Sequence, residues 1–186
     1  MTGTQAGPDR RRFRDTIGLF ATGVAVIVAK AGDEAHAMTV NAVCSLSLDP
    51  LLVMFCPSKK SNMARHVASL SGFTINILRN DQQALSTYFA GGWREPTPPP
   101  LRLVPGRCAP RLEGSLAYIE CEPDDVLEVG DHWMVIGRVV EVSIGVQPHR
   151  PLLFLSGRYR EMDYSASLPA PDLTNVQDEP AHIYYE

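Results

Sequence analysis

From residue 24 to residue 155 the chain is a succession of short runs rich in β-branched and apolar residues, most of them bounded by Gly, Pro or Asp. That pattern restricts the fold more than any other feature. The runs fall at 24–29, 36–48, 51–56, 73–78, 117–127 and 132–142, with a last short one at 151–155. Gly32-Asp33, Asp49-Pro50 and Gly130-Asp131 supply turns between them. Helical spacing is confined to brief stretches. Phe13, Ile17 and Phe20 recur on one stripe, with Gly23 as the stop. Ser61 stands before a short helix over 62–70, and Asp81 is placed to cap another that reaches Phe89. Six or so strands with few, short helices predict a mainly β fold built as a barrel, not an α/β layer fold. No G-x-G-x-x-G follows any strand, so a Rossmann dinucleotide site has no support and any nicotinamide must bind in another way.

At 186 residues the chain suits one domain with a real core. The expected organisation is a flexible N-terminal end over 1–12, a single domain over 13–160 and a tail over 161–186. Segment 91–110 holds six prolines (Pro96, Pro98, Pro99, Pro100, Pro105, Pro110) and reads as a long surface excursion. In the run after it, Tyr118, Glu120 and Glu122 alternate with Ile119 and Cys121, the pattern of a strand with one wet face. The net charge of −4 and the lack of a basic stripe argue against a nucleic-acid partner; Arg10-Arg11-Arg12 reads as a solvated helix face. Four scattered cysteines, without C-x-x-C or a histidine at ligand spacing, argue against a metal site. Cys44 and Cys56 read as buried small hydrophobes. No signal peptide is visible, and no apolar run approaches the ~20 residues needed to cross a bilayer, so a cytoplasmic location with no membrane partner is expected.

Two segments carry chemistry. Ser58-Lys59-Lys60-Ser61 leads into a helix start, where hydroxyls, ammonium groups and free amides would suit a phosphate. The alternative is that Ser61 only caps the helix and the lysines face water. In Met38-Thr39-Val40-Asn41-Ala42-Val43-Cys44-Ser45, the polar Thr39, Asn41 and Ser45 share odd numbering and hence one strand face. Such a face suits a flat polar heterocycle, or is simply the solvated side of an antiparallel strand.

Taken in order, Phe20-Ala21-Thr22-Gly23-Val24, Met38-Thr39-Val40-Asn41 and Ser45-Leu46-Ser47-Leu48-Asp49-Pro50 resemble the flavin reductases of two-component flavin-dependent monooxygenases, in the FMN-binding split β-barrel superfamily. Phe73-Thr74-Ile75-Asn76-Ile77-Leu78, Gly130-Asp131-His132 and Pro151-Leu152-Leu153-Phe154 with Gly157-Arg158-Tyr159 continue the resemblance, which spans about 13–159. It implies that 38–42 lies along the flavin ring and that 56–61 holds the ribityl chain and phosphate. The implied flavin contacts are Met38, Thr39, Val40, Asn41, Ala42, Ser45, Cys56, Pro57, Ser58, Lys59 and Ser61. His132 is implied on the nicotinamide side as the catalytic residue, with Arg158 and Tyr159 closing over the nicotinamide or forming a surface cation–aromatic contact. Asn62 and Met63 stand where many relatives carry Ser, Thr or Arg, so phosphate grip would be weaker, or shared with Lys60 and Arg65.

The function implied is an NAD(P)H:flavin oxidoreductase that passes hydride from NADH or NADPH to FMN or FAD and supplies a partner monooxygenase. A homodimer with each site near the subunit interface is implied as well. Such chemistry needs two stacked rings and donors where charge develops, not a nucleophile or a metal. Two alternatives remain: a flavoprotein with tightly bound FMN acting directly on an organic substrate, and a non-enzymatic flavin- or haem-binding module on the same barrel.

Overall fold

The computed structural model describes residue 7, residues 9–145, residues 150–163 and residue 165; most of the expected tail lies outside them. After helix α1 (Arg10–Ile17) come strands β1 (Thr22–Gly23), β2 (Ala25–Ala31), β3 (Glu34–Val40), β4 (Val43–Leu48) and β5 (Leu51–Phe55). Two 3-10 turns, Asn62–Arg65 and Val67–Ser69, lead to β6 (Leu70–Ile77). Helix α2 (Gln83–Phe89), the strand pair β7 (Leu103–Val104) and β8 (Arg111–Leu112), the long hairpin β9 (Ala117–Val129) and β10 (His132–Ile144), and finally β11 (Leu153–Leu155) and β12 (Arg158–Arg160) complete the described chain.

Seven strands form one sheet in the order β3-β2-β6-β9-β10-β5-β4, with every pair antiparallel. Its two edge strands, β3 and β4, are joined by only Asn41 and Ala42. Three Cα steps of ~3.8 Å hold Val40 and Val43 within about 11 Å, so the sheet has to curl until its edges nearly meet. The seam between those edges is where the polar residues of 39–45 fall.

The alternation expected of a strand explains the core. On β2, Ala25, Ile27 and Ala29 enter one cluster with Phe55, Phe73, Ile75 and Val135, while Val26 and Val28 enter a second with Leu78, Leu85, Leu112 and Leu152. Both faces are therefore dry, which is why 24–29 is apolar without a break. Burying each of the larger side chains, such as Ile27, Val26 and Leu78, contributes ~1.5–3 kcal/mol before chain entropy is counted. Gly137 on β10 leaves room for the Phe73 ring, whose nearest carbon would lie 2.2 Å from a Cβ placed there.

Several expectations change. The run 36–48 is two strands, because the chain must cross the seam at Asn41-Ala42. α1 stops at Ile17 with Gly18 as its C-cap, five residues before Gly23, and the stripe of Phe13, Ile17 and Phe20 stays exposed. Asp81 caps nothing: it pairs with Arg79 through two 2.9 Å hydrogen bonds, and the capping side chain is Gln82, whose Oε1 accepts from the Arg79 N–H at 2.9 Å. The Pro-rich excursion is partly core, since Pro99 and Ala109 are buried, and just past it buried Leu112 donates its N–H to buried Asn76 Oδ1 at 2.8 Å. That segment also covers part of the expected wet face of β9: Glu120 is fully buried, accepting from the Cys108 N–H at 2.8 Å, while Tyr118 is half-buried and Glu122 exposed. Cys44 is exposed and Cys56 half-buried; of the four thiols, all unpaired, Cys121 is the buried one.

Candidate active site at the sheet seam

A cavity of about 1040 Å³ opens at the seam. Ile17 and Phe20 of the α1 stripe, Val43, Met54 and Phe154 give it apolar walls, and Arg14, Thr22 and Asn41 give it polar ones. This explains why the α1 stripe is not packed into the core: part of it lines a hollow. The C-terminal end of α1 is held there by the β11–β12 turn, where the Ser156 N–H donates to the Gly18 carbonyl at 2.7 Å and Ser156 itself takes a left-handed φ of 51°. Asn41 Nδ2 donates to Thr22 Oγ1 at 3.3 Å across the mouth. The volume is at the upper end for small-molecule sites, and flat apolar walls with a few polar groups are what binding a large heterocycle requires.

From the seam the chain connects directly to the 56–61 loop and the hairpin turn. The Cys56 N–H donates to the Ala42 carbonyl at 3.2 Å, and the Trp133 N–H donates to the Pro57 carbonyl at 2.9 Å. Ser58 and His132 form an isolated antiparallel bridge. β5 and β10 pair with Phe55 opposite Val135, so three residues further along one strand and three back along the other bring Ser58 to His132. Gly130, at a φ of 56°, makes the tight turn that presents the histidine. His132 Nδ1 lies 2.8 Å from Asp131 Oδ1, and that hydrogen bond holds the exposed Asp131 carboxyl below the usual range.

Within the loop, Ser61 Oγ donates to the Ser58 carbonyl at 2.7 Å and accepts from the Ala64 N–H at 3.3 Å, so Ser61 does cap the 3-10 turn. Lys60 and Arg65 are exposed. Lys59 is directed elsewhere: its Nζ donates to the Gly130 carbonyl at 2.6 Å and to the Glu128 carboxylate, and lies 5.6 Å from the Trp133 ring centroid.

The structure thus gathers Asn41, Ala42, Cys56, Pro57, Ser58, Lys59, Ser61 and His132 along one continuous path. Ser45 is exposed on β4, and Arg158 is exposed beside the cavity-lining Gly157. Met38 packs on the first core cluster and Val40 is buried within it. Thr39 and Tyr159 face another way. Thr39 Oγ1 donates to the Ser86 carbonyl at 2.7 Å, and Tyr159 Oη lies 2.9 Å from Ser86 Oγ, with its ring edge-on to Phe154. These two side chains clamp β3 and β12 onto α2. Sequence reasoning missed Arg14, Met54, Phe154 and Ser156 as cavity residues; the unexplained apolar stripe on α1 was the one signal available.

The chain matches the flavin reductase like domain over residues 17–163. It is 36% identical over 171 residues to the reductase subunit HsaB of a flavin-dependent monooxygenase from Rhodococcus jostii, covering 88% of this chain and 83% of that one. A nitrilotriacetate monooxygenase component B homologue from Mycobacterium thermoresistibile superposes with a TM-score of 0.80 at 34% identity, over 92% of this chain and 97% of that one. The NADH:FAD oxidoreductase SgcE6 of Streptomyces globisporus, solved with NAD and FAD fragments, superposes with a TM-score of 0.76 at 30% identity, over 86% and 96% of the two chains. The chain belongs to the flavin reductase-like family and is a nicotinamide-dependent flavin reductase.

Proposed function

We propose that the chain reduces FMN or FAD with NADH or NADPH at the seam and releases the reduced flavin to a separate monooxygenase, acting as a homodimer in the cytoplasm. The observation that carries this reading is the continuity of three parts: an apolar-walled cavity of about 1040 Å³, the Cys56–Ser61 loop hydrogen-bonded to the seam, and the His132 turn bridged to that loop. When bound, the nicotinamide supplies a hydride and the flavin accepts it.

The chain's own work is positioning and solvation. Val43, Met54 and Phe154 exclude water from a flat ring, and Asn41 with the Ala42 backbone marks its polar edge. Ser58, Lys60 and Arg65 are the groups offered to a phosphate, because the Lys59 ammonium is engaged by Glu128 and Gly130. His132 is held by Asp131 through Nδ1, which leaves Nε2 for the nicotinamide amide or its pyrophosphate. Arg158, beside the cavity rim, offers a cation to the same ligand. The homodimer is supported by exposed apolar side chains on neighbouring strands: Leu46, Leu48 and Leu51 on β4 and β5, and Leu127 and Val129 near the hairpin tip.

Anaerobic mixing of the purified chain with nicotinamide and free flavin tests the activity. Catalytic loss of NADH or NADPH absorbance with FMN or FAD is expected, together with flavin that exchanges freely. No turnover with any of the four pairings would refute it. Sedimentation analysis tests the dimer, which a monomer at micromolar concentration would contradict.

A further inference from the structure

Lys59 sits between the two parts of the site that have to act together. Its backbone N–H donates to the Asp131 carbonyl at 3.0 Å, and its Nζ reaches over the turn to the Gly130 carbonyl at 2.6 Å and to Glu128. The same ammonium lies 5.6 Å from the centre of the Trp133 ring, and its side chain is only 29% exposed. Two of its three donors are thereby used on the hairpin, and the third cannot serve an anion without drawing that anion toward the Glu128 carboxylate. On the hairpin's own side, Val129 and Gly130 are exposed, so the contacts that hold the tip come from the loop across from it.

We propose that Lys59 is a positioning residue that fastens the Gly130-Asp131-His132 turn to the Pro57–Ser61 loop, so that the nicotinamide-side histidine and the flavin-phosphate loop form one rigid unit. This rests on the assignments of that loop and of His132 made above. Its consequence is specific: removing the ammonium loosens the turn and weakens nicotinamide use, while discrimination in favour of the flavin phosphate is kept.

The test compares Lys59→Met, which keeps the stem without the charge, with Lys59→Arg, which keeps a charge. Each is assayed for KM and kcat with NADH, and for dissociation constants of FMN and of phosphate-free riboflavin by fluorescence quenching. Amide exchange at Lys59 and Trp133 is followed in parallel. In Lys59→Met the KM for NADH is expected to rise about fivefold to tenfold, and exchange at both amides to accelerate. The ratio of FMN to riboflavin affinity should hold within about twofold, and Lys59→Arg should recover most of each loss. Loss of FMN affinity relative to riboflavin, with exchange unchanged, would make Lys59 a phosphate ligand and overturn the proposal. Glu128→Gln gives a second reading if Lys59→Met does not fold: it should shift the same parameters in the same direction by less, and no shift counts against the proposal. Absence of turnover in the wild-type protein would remove the assigned function, whereas the exchange data decide on the fastening independently.

Discussion

Replacing Glu120 with Ala probes the most demanding electrostatic arrangement in the fold. The carboxylate is fully buried, accepts from the Cys108 N–H at 2.8 Å and lies 3.6 Å from Arg111 Nε. Neither Glu120 Oε1 nor Arg111 Nε has a hydrogen-bond partner, so the pair rests on charge attraction in a dry setting. Removing the acid leaves the Cys108 N–H without its acceptor, a cost of ~1–3 kcal/mol. It also leaves the Arg111 guanidinium uncompensated, and breaking a buried pair from one side typically costs ~3–5 kcal/mol in all. Arg111 is 27% exposed, stacks 4.3 Å from the Tyr118 ring centroid and donates to the Pro105 carbonyl, so its charge is partly relieved. The expected loss is therefore near the lower figure, ~3 kcal/mol, a large share of the ~5–15 kcal/mol that stabilises an ordinary domain. Urea unfolding followed by tryptophan fluorescence measures it, and a cycle with Arg111→Met isolates the pair. Glu120→Ala with Arg111→Met should be less destabilised than the sum of the two single variants, with a coupling of at least ~1.5 kcal/mol. A loss below ~1 kcal/mol for Glu120→Ala, or simple additivity in the cycle, would refute this account of what pins the Pro-rich excursion to β9.

Thiol labelling at mildly alkaline pH should modify exposed Cys44 first, while Cys121, whose pKa burial pushes up to about 12, stays unmodified until the protein unfolds; mass spectrometry showing equal rates would contradict the assigned burial. Gly137→Ala should cost ~1–3 kcal/mol in thermal or urea unfolding, because the Phe73 ring it strikes is fully buried and packed edge-on against Phe55 at 5.0 Å; an unchanged midpoint would show that the ring has room to move. Asp81→Asn should cost less than ~1 kcal/mol at neutral pH, since its pair with Arg79 is largely exposed to solvent and screened. Hydrogen bonding to Arg79 lowers the Asp81 pKa, so this contribution is present above the ordinary aspartate range and is lost as pH falls through the lowered value. The wild type and the variant should thus converge in acid unfolding curves, and a gap that widened in acid would reverse the sign.

The strands were legible because β-branched runs bounded by turns need no tertiary information, and 24–29, 51–56 and 73–78 fall where β2, β5 and β6 do. What alternation does not reveal is what covers each face. Glu120 read as wet because nothing local says that segment 103–112 returns to lie over it, and Cys44 read as buried from its apolar neighbours, whereas β4 is an edge strand that leaves it exposed. The break at Asn41-Ala42 was equally invisible: it follows from closure of the sheet, not from a turn signal. Lys59 read as a phosphate ligand on its neighbours in sequence, while the fold supplies a carboxylate from 69 residues further on. The site residues could be named only through the family resemblance, because by chemistry alone each segment kept a plainer reading, and their convergence depends on one register. With Phe55 opposite Val135, Ser58 reaches His132; a slip of one residue would set Ser58 against Asp131 or Trp133 and turn the imidazole to the opposite face. That register is held by the core, through buried Phe55 and Val135. The apolar packing of β5 against β10 thus fixes the juxtaposition on which the proposed site depends, although neither buried side chain lines the cavity.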